Sequence, residues 1–437
     1  MVAGVSGSAS QATAAGALSK LWQTVWSVEA LFVVFIFAGI LKNQPVFSLI
    51  PVDLTPLSAA GLVATFALRI AAGKVKVSRT GLEVIGISAV LLAFLLLSSL
   101  WAPASNQGKM TGTILMWGTF VVGVLLFSTS NASFRRLLNV MLILGLYSAT
   151  VVLIAATLKT DYAAQTAFFR QAGNYLALGS VLATAMLTSL YRLFRGERLL
   201  GFSSALYLLP FAFTALALPL NPGRQTLIGG LFGLILLVAV FRPRLRFGRL
   251  KLSYAWIQLG LLAILVAPIV VQQLGTNVNF QALQRLELLV QRDNGANASG
   301  QTRELHWYQV QQYWDRQPII GHGMGAYGIQ LSPSGYRDDH PHNIWLELLY
   351  EGGLVAVALA GLIVVLLLYN VSFKVLFSPE GVLVTALLAL LLMSSSVSGS
   401  YGDTRHYMMT LSTLTLPMLA ANRRILARPG PVQRVQA

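Results

Sequence analysis

The stretch from residue 340 to residue 374, "HPHNIWLELLYEGGLVAVALAGLIVVLLLYNVSFK", joins ionisable groups to a long apolar run. No charged side chain lies between Glu351 and Lys374. Because about 20 apolar residues in a helix cross the hydrocarbon core of a bilayer, this run predicts a membrane-spanning helix. The ionisable groups gathered in front of it are Asp338, Asp339, His340 and His342.

The composition of the whole chain extends this interpretation to many spans. Of the 437 residues, 55% are hydrophobic and 11% are charged, whereas soluble domains carry about 25% charged residues. The mean hydropathy is +0.67. The apolar runs are unbroken and show no alternation with period two, which excludes a membrane β-barrel and predicts an all-α polytopic membrane protein. Cysteine is absent, so disulfides and thiolate metal sites are excluded.

The apolar runs predict about twelve membrane helices with a helical loop between the ninth and the tenth. The predicted spans are residues 24–41, 54–73, 82–101, 111–128, 137–158, 173–191, 200–218, 225–241, 253–273, 343–369, 381–398 and 406–422. The chain thus divides into a tail (1–23), nine helices (24–273), a loop (274–342), three helices (343–422) and a second tail (423–437).

The net charge of +16 indicates topology rather than a nucleic-acid partner. One alternating set of connections, with the N-terminal tail and Arg69, holds 20 of the 31 Lys and Arg residues, and the other set holds 11. Since cytoplasmic loops carry the excess of basic residues, both tails are predicted to be cytoplasmic and the loop 274–342 periplasmic. The N-terminal tail lacks a charged region followed at once by an apolar stretch, so we expect no cleaved signal peptide.

Three outer residues are candidates for chemistry. Arg224 follows a Pro-Gly turn at the start of a span, where a helix N-terminus and a guanidinium together favour an anion. Arg303 begins a predicted amphipathic helix of the loop, and His342 lies where the loop meets the next span and has the side chain best suited to accept a proton near neutral pH. The alternatives are an interfacial anchor for Arg224, a solvated ion pair for Arg303 and an interfacial hydrogen bond for His342.

A metal site is the main alternative use of the histidines. His340 and His342 with Asp338 or Asp339 offer ligands that suit zinc or manganese. The sequence has no HExxH pattern, and its outer loops have no Asp-x-Asp. We therefore predict no metal and no cofactor, and the glycine-rich "GHGMGAYG" lacks the GK[ST] of a nucleotide-binding loop.

Two segments resemble a signature shared by bacterial O-antigen ligases and O-antigen polymerases: "SGQTRELHWYQVQQYWDRQPIIGHGMGAYG" at 299–328 and "HPHNIWLELLYEGG" at 340–353. The matching positions are Arg303, Trp307, Pro318, Gly321, Gly323, His342, Asn343, Leu346, Glu351 and Gly353. Upstream, "PGRQTLIGG" is similar to the family's arginine segment and "QAGNYLALGS" to its Gly-Asn stretch. The sequence departs from the ligase pattern at Ile228, where leucine is frequent.

This resemblance implies a metal-independent, inverting glycosyltransferase with a glycosyltransferase-C-like fold in the inner membrane of a Gram-negative bacterium. The donor would be an O-antigen polysaccharide on undecaprenyl diphosphate, and the acceptor a sugar of lipid A–core at the periplasmic face. His342 would be the general base, and Arg224 and Arg303 would bind the diphosphate. Asn343, His340 and Arg405 are supporting candidates, Arg405 on its position before the last span alone.

Three other functions remain open at this stage. The nearest is an O-antigen or exopolysaccharide polymerase, whose acceptor is a second lipid-linked glycan. A protein O-oligosaccharyltransferase is the next, although such enzymes usually carry a further soluble C-terminal region. A polyprenyl-glycan transporter would need helices broken near the bilayer midplane, and the Pro and Gly breaks of this sequence are predicted at span ends.

Overall fold

The structure is a computed structural model that describes residues 19, 21–44, 46–158, 175–197, 204–241, 245–247, 250–252, 298–332, 339–398, 400–401 and 405–420. Its described part is helical apart from one short antiparallel hairpin. The predicted all-α polytopic membrane fold is therefore confirmed.

The helices are α1 (Val28–Leu41), α2 (Leu54–Ala71), α3 (Arg79–Ser98), α4 (Gln107–Phe127), α5 (Asn131–Leu158), α6 (Tyr175–Arg195), α7 (Leu208–Leu220), α8 (Arg224–Phe241), α9 (Ala298–Tyr313), α10 (Ala326–Gln330), α11 (Ile344–Asn370), α12 (Phe373–Leu376), α13 (Pro379–Ser398) and α14 (Arg405–Ser412). The strands β1 (Leu245–Phe247) and β2 (Leu250–Leu252) form the hairpin. Single 3₁₀ turns cover Phe47–Leu49, Ser204–Tyr207, Trp314–Arg316 and Thr413–Thr415.

Most of the predicted spans coincide with helices of the structure. Among the described residues, eight helices are long and apolar enough to cross a membrane, namely α2, α3, α4, α5, α6, α8, α11 and α13. The apolar helices α1 and α7 are shorter and occupy two further predicted spans. The predicted span 253–273 lies outside the described residues.

The last predicted span, 406–422, is not one continuous helix. Helix α14 ends at Ser412, after about 12 Å at 1.5 Å per residue, and a 3₁₀ turn follows. The hydroxyls of Ser412 and Thr413 donate to carbonyls three residues earlier, at 2.6 Å each, which competes with regular helical bonding. Pro417 then removes a backbone donor. This break lies inside the predicted span 406–422, whereas the Pro and Gly breaks are predicted at span ends.

Ion pairs and hydrogen bonds show which helix ends lie together on each of the two faces of the helix bundle. On one face, Arg136 bonds Glu29 at 2.8 Å, joining the start of α5 to the start of α1. On the other face, Lys109 of α4 bonds Glu347 of α11 at 2.6 Å. The second face is called the site face below, and it comprises the α3 C-terminus, the N-termini of α4, α8 and α11, and the C-terminus of α13.

Candidate active site

A break in helix α11 joins the loop 318–323 to the bundle. Gly353 adopts φ 62° and ψ −164° inside α11, and a Cβ there would lie 2.4 Å from the Ile319 carbonyl oxygen. At the break, the Leu354 N–H donates to the Pro318 carbonyl at 2.8 Å and the Gly323 N–H donates to the Glu351 carbonyl at 2.9 Å. The loop 318–323 thus takes up backbone groups that an unbroken helix would pair internally.

The same loop is tied to the end of α3. The Trp101 indole donates to the Gly321 carbonyl at 3.1 Å, and the Met324 N–H donates to the Ser98 hydroxyl at 3.1 Å. Gly323 has φ 93° and passes so close that a Cβ would lie 2.6 Å from the Ala102 Cα. The glycines of the sequence signature are therefore explained by close backbone contact.

The backbone around His342 is fixed on both sides. The Trp307 indole donates to the Pro341 carbonyl at 2.9 Å, which links α9 to this segment. Asn343 caps α11 by accepting from the Trp345 N–H at 3.0 Å, and its amide donates to the Ser396 carbonyl at 3.1 Å. Among the described residues, His342 is the one non-glycine with a positive φ, at 54°.

The side chain of His342 lies among other ionisable groups. Its ring centroid is 4.4 Å from that of His340 and 5.6 Å from that of His306. His306, which the sequence analysis did not select, is buried on α9 and shares a short hydrogen bond with the Tyr327 hydroxyl. The buried Nδ1 of His342 has no hydrogen-bond partner in the described part of the chain.

Burial and nearby positive charge keep His342 neutral. Burial is the largest effect, and the charges of His340, Arg303 and His306 add to it, so that the pKa of His342 falls to about 3 although Asp339 opposes the shift. Burial also lowers the pKa of His306. At neutral pH the His342 imidazole is therefore in the form that accepts a proton.

Arg303 is one of the charged groups around His342. Arg303 lies on α9 three residues before His306 and four before Trp307, so the three side chains share one helix face. Its charge contributes to the lowered pKa of both His306 and His342.

Arg224 lies on the site face as well, on a neighbouring pair of helices. A Cβ on Gly229 of α8 would lie 3.1 Å from the Leu390 Cα of α13, and one on Gly233 would lie 3.2 Å from the Ala386 Cβ. These contacts make the two helices antiparallel, and the register places Arg224 level with residue 395. The next residue, Ser396, is the one whose carbonyl binds Asn343.

The remaining supporting candidates have different surroundings. Asn343 has a clear structural role as the cap of α11, and the ring of His340 meets that of His342 edge-on. Arg405 donates from Nη1 to the Phe35 carbonyl at 2.6 Å and lies over the Phe35 ring at 5.0 Å. It therefore contacts α1, and its phosphate contact stays a prediction.

A buried group of charges below the histidines was missed by the sequence analysis. Lys109 Nζ lies 2.6 Å from Glu347 Oε1 and 2.7 Å from Glu351 Oε1, and both carboxylates are fully buried. Glu347 also accepts from the Tyr401 N–H at 2.9 Å, and Glu351 from the Gly325 N–H at 2.9 Å and from the Tyr401 hydroxyl. This group is called the Lys109 cluster below, and it ties α4, α11, the loop before α10 and the connection after α13 together.

Three residues offer a possible set of metal ligands. One donor atom from each of His306, Asp339 and His342 lies within 4.8 Å of the other two. His306 takes the place that the sequence analysis gave to His340, and Asp338 lies outside the described residues.

The segment that carries this geometry is also the part of the chain that is similar to a known family. A profile of the family described as O-antigen ligase matches residues 209–361, from α7 into α11. The resemblance to O-antigen ligases is thereby confirmed over this segment. No curated protein is similar enough to count as a match.

This match supports a ligase- or polymerase-type glycosyltransferase that works on lipid-linked polysaccharide in a membrane. The O-antigen ligase segment contains Arg224, Arg303, His342 and both glutamates of the Lys109 cluster, but it contains neither Lys109 nor Arg405. The cation that bonds both glutamates thus comes from a helix outside the matched segment.

Proposed function

We propose that the protein transfers an O-antigen polysaccharide from undecaprenyl diphosphate to a sugar hydroxyl of lipid A–core at the periplasmic face of the inner membrane. The hydroxyl oxygen attacks the anomeric carbon on the face opposite to the diphosphate. The bond from that carbon to the diphosphate oxygen breaks, and the hydroxyl proton moves to His342. Undecaprenyl diphosphate leaves, and the configuration is inverted.

The observation that carries the proposal is the pairing of a neutral imidazole with a guanidinium on one face. His342 is held in a fixed backbone, and Arg303 acts on it through space. A guanidinium binds phosphate oxygens through a planar fork, and fixed cations stabilise the charge that develops on the leaving group. Arg224 supplies a second guanidinium at a helix N-terminus on the site face.

Donor binding would also adjust the basicity of His342. A pKa of about 3 makes the free imidazole a weak base, because a general base works best when its pKa is near the operating pH. A diphosphate bound at Arg303 would offset the cation that depresses this pKa, and the pKa of His342 would rise. The histidine thus becomes a better base when the donor is in place.

The test is a transfer assay with purified protein and lipid-linked O-antigen as donor. We expect a product with lipid A–core, and no elongation of the donor when it is supplied alone. Elongation of the donor alone would instead identify a polymerase, and transfer to a protein acceptor alone would identify an O-oligosaccharyltransferase. Export of intact donor without transfer would identify a transporter.

The proposed reaction needs no metal ion. Arg224 and Arg303 would neutralise the leaving diphosphate, a role for which many glycosyltransferases employ a divalent cation. We therefore expect full transfer activity after treatment with EDTA. A loss that a divalent ion restores would favour catalysis by a metal at His306, Asp339 and His342.

A further inference from the structure

We propose that His306, Asp339 and His342 form an inhibitory site for a zinc-class transition metal ion. The inference rests on the proposed role of His342 as base. The metal would take up an imidazole lone pair of that residue, and so remove the group that accepts the acceptor proton.

The donor set fits such an ion. Two imidazoles and one carboxylate, with a donor atom of each within 4.8 Å of the others, are typical zinc ligands. Zinc binds imidazole nitrogen at about 2.0–2.1 Å, so small side-chain movements close the site. Mg²⁺ prefers oxygen ligands in an octahedron and is not expected to bind.

Other groups already orient two of the three ligands. The Tyr327 hydroxyl bonds Nδ1 of His306. Asp339 accepts from the Ser332 hydroxyl at 2.6 Å and from the His340 N–H at 2.9 Å. Metal ligands in proteins are commonly held in this way by hydrogen bonds from a second layer of residues.

The third ligand is fixed through its backbone. His342 stands between the Trp307–Pro341 bond and the Asn343 cap, so its ring is presented to His306 from a rigid segment. The guanidinium of Arg303 acts on both imidazoles and opposes a cation. We therefore expect an affinity that a chelator readily overcomes.

The experiment measures Zn²⁺ binding to the full-length protein, by competition with a chromophoric chelator, beside transfer activity. We expect one Zn²⁺ per chain and inhibition that EDTA reverses, whereas Mg²⁺ has no effect. His306→Gln should weaken Zn²⁺ binding by more than about tenfold and make transfer insensitive to Zn²⁺ while basal transfer is retained. Tyr327→Phe, which removes the bond to His306, should weaken binding by about tenfold.

The matched control is His340→Gln, which removes the neighbouring imidazole outside the proposed ligand set. It should leave Zn²⁺ binding and inhibition unchanged. Loss of binding in His340→Gln but not in His306→Gln would overturn the ligand assignment. Absence of stoichiometric binding, or activation by Zn²⁺ after EDTA, would overturn the inhibitory site. If instead Zn²⁺ binds as expected but transfer survives the loss of His342, the proposed function fails and the metal site stands.

Discussion

The backbone of His342 lies in the left-handed region, where a residue other than glycine costs about 1–3 kcal/mol. Asparagine tolerates this region better than alanine does, so His342→Asn removes the imidazole with little change in the backbone. We expect turnover to fall by about 10²–10⁴-fold, the usual contribution of a general base, while donor affinity is kept. Measured donor binding beside turnover decides the role. A variant that loses donor binding but turns over normally when saturated would assign His342 to the diphosphate pocket.

The pH dependence follows from the depressed pKa of His342. Since the free enzyme holds this pKa at about 3, protonation of His342 removes activity only as the pH falls toward 3, and kcat/KM should show no acid limb near 6.5. A bound diphosphate raises the pKa, so the acid limb of kcat should lie at higher pH than that of kcat/KM. In Arg303→Gln the depressing charge is gone, and the acid limb of kcat/KM should move up. An acid limb at the ordinary histidine pKa in the wild-type kcat/KM profile would contradict the burial argument.

Single residues could be predicted from the sequence where their chemistry is local. Arg303 and His342 stand in a short signature, and the charge of Arg303 is one of the causes that lower the pKa of His342. Lys109 could not be assigned, because its partner Glu347 lies 238 residues away. One signal was present: two glutamates four residues apart at the mouth of an apolar helix require a cation, since buried charges are costly. The sequence indicates that the two glutamates have a cationic partner, but it does not indicate which Lys or Arg residue this is.

Among the elements, the broken helix α11 decides how the loop 318–323 docks. Gly353→Ala places a Cβ 2.4 Å from the Ile319 carbonyl oxygen and forces alanine to a positive φ. We expect a lower thermal stability and weak transfer, because the loop 318–323 must separate from α11. Gly361→Ala on the same helix is the control, since no atom lies within 4 Å of its Cβ position. That control should be neutral or slightly stabilising, by up to about 1 kcal/mol from helix propensity. Equal thermal stability and equal transfer in the two variants would show that the break at Gly353 is not needed for the fold or the activity.

The Lys109 cluster should hold helix α11 and the loop before α10 in register. Lys109→Met leaves two buried carboxylates without a cation, and breaking a buried pair in this way costs about 3–5 kcal/mol. We expect a large loss of thermal stability and a lower kcat, while Lys109→Met combined with Glu347→Gln and Glu351→Gln recovers part of the stability. The exposed pair Arg79–Glu83 serves as the control, where Arg79→Gln should cost less than about 1 kcal/mol. If Lys109→Met unfolded at the same temperature as the wild type, the Lys109 cluster would not hold α11 and the loop before α10 in register.

For the whole molecule, apolar runs predicted most of the spans, because length and hydropathy alone decide whether a helix can cross a bilayer. They did not predict where helices break. The break at Gly353 depends on hydrogen bonds to the loop 318–323, which lies 30 residues earlier in the chain. The end of α14 depends on a run of hydroxyl side chains before Pro417. Both features arise from hydrogen bonds to the backbone, and hydropathy contains no information about such bonds.

The orientation of the molecule can be tested with reporter fusions. The contacts place Lys109, Asn343 and Ser396 on the site face, and Glu29, Arg136 and Glu380 on the other. The connections on the face opposite the site face, with the N-terminal tail and Arg69, carry 20 of the 31 basic residues, so the positive-inside rule predicts that this opposite face is cytoplasmic. A reporter near Asn297 should then be active in the periplasm, and one at Arg246 in the cytoplasm. A cytoplasmic reporter at Asn297 would put the site face inside the cell, where neither the proposed donor glycan nor the lipid A–core acceptor could meet His342 from the periplasmic leaflet.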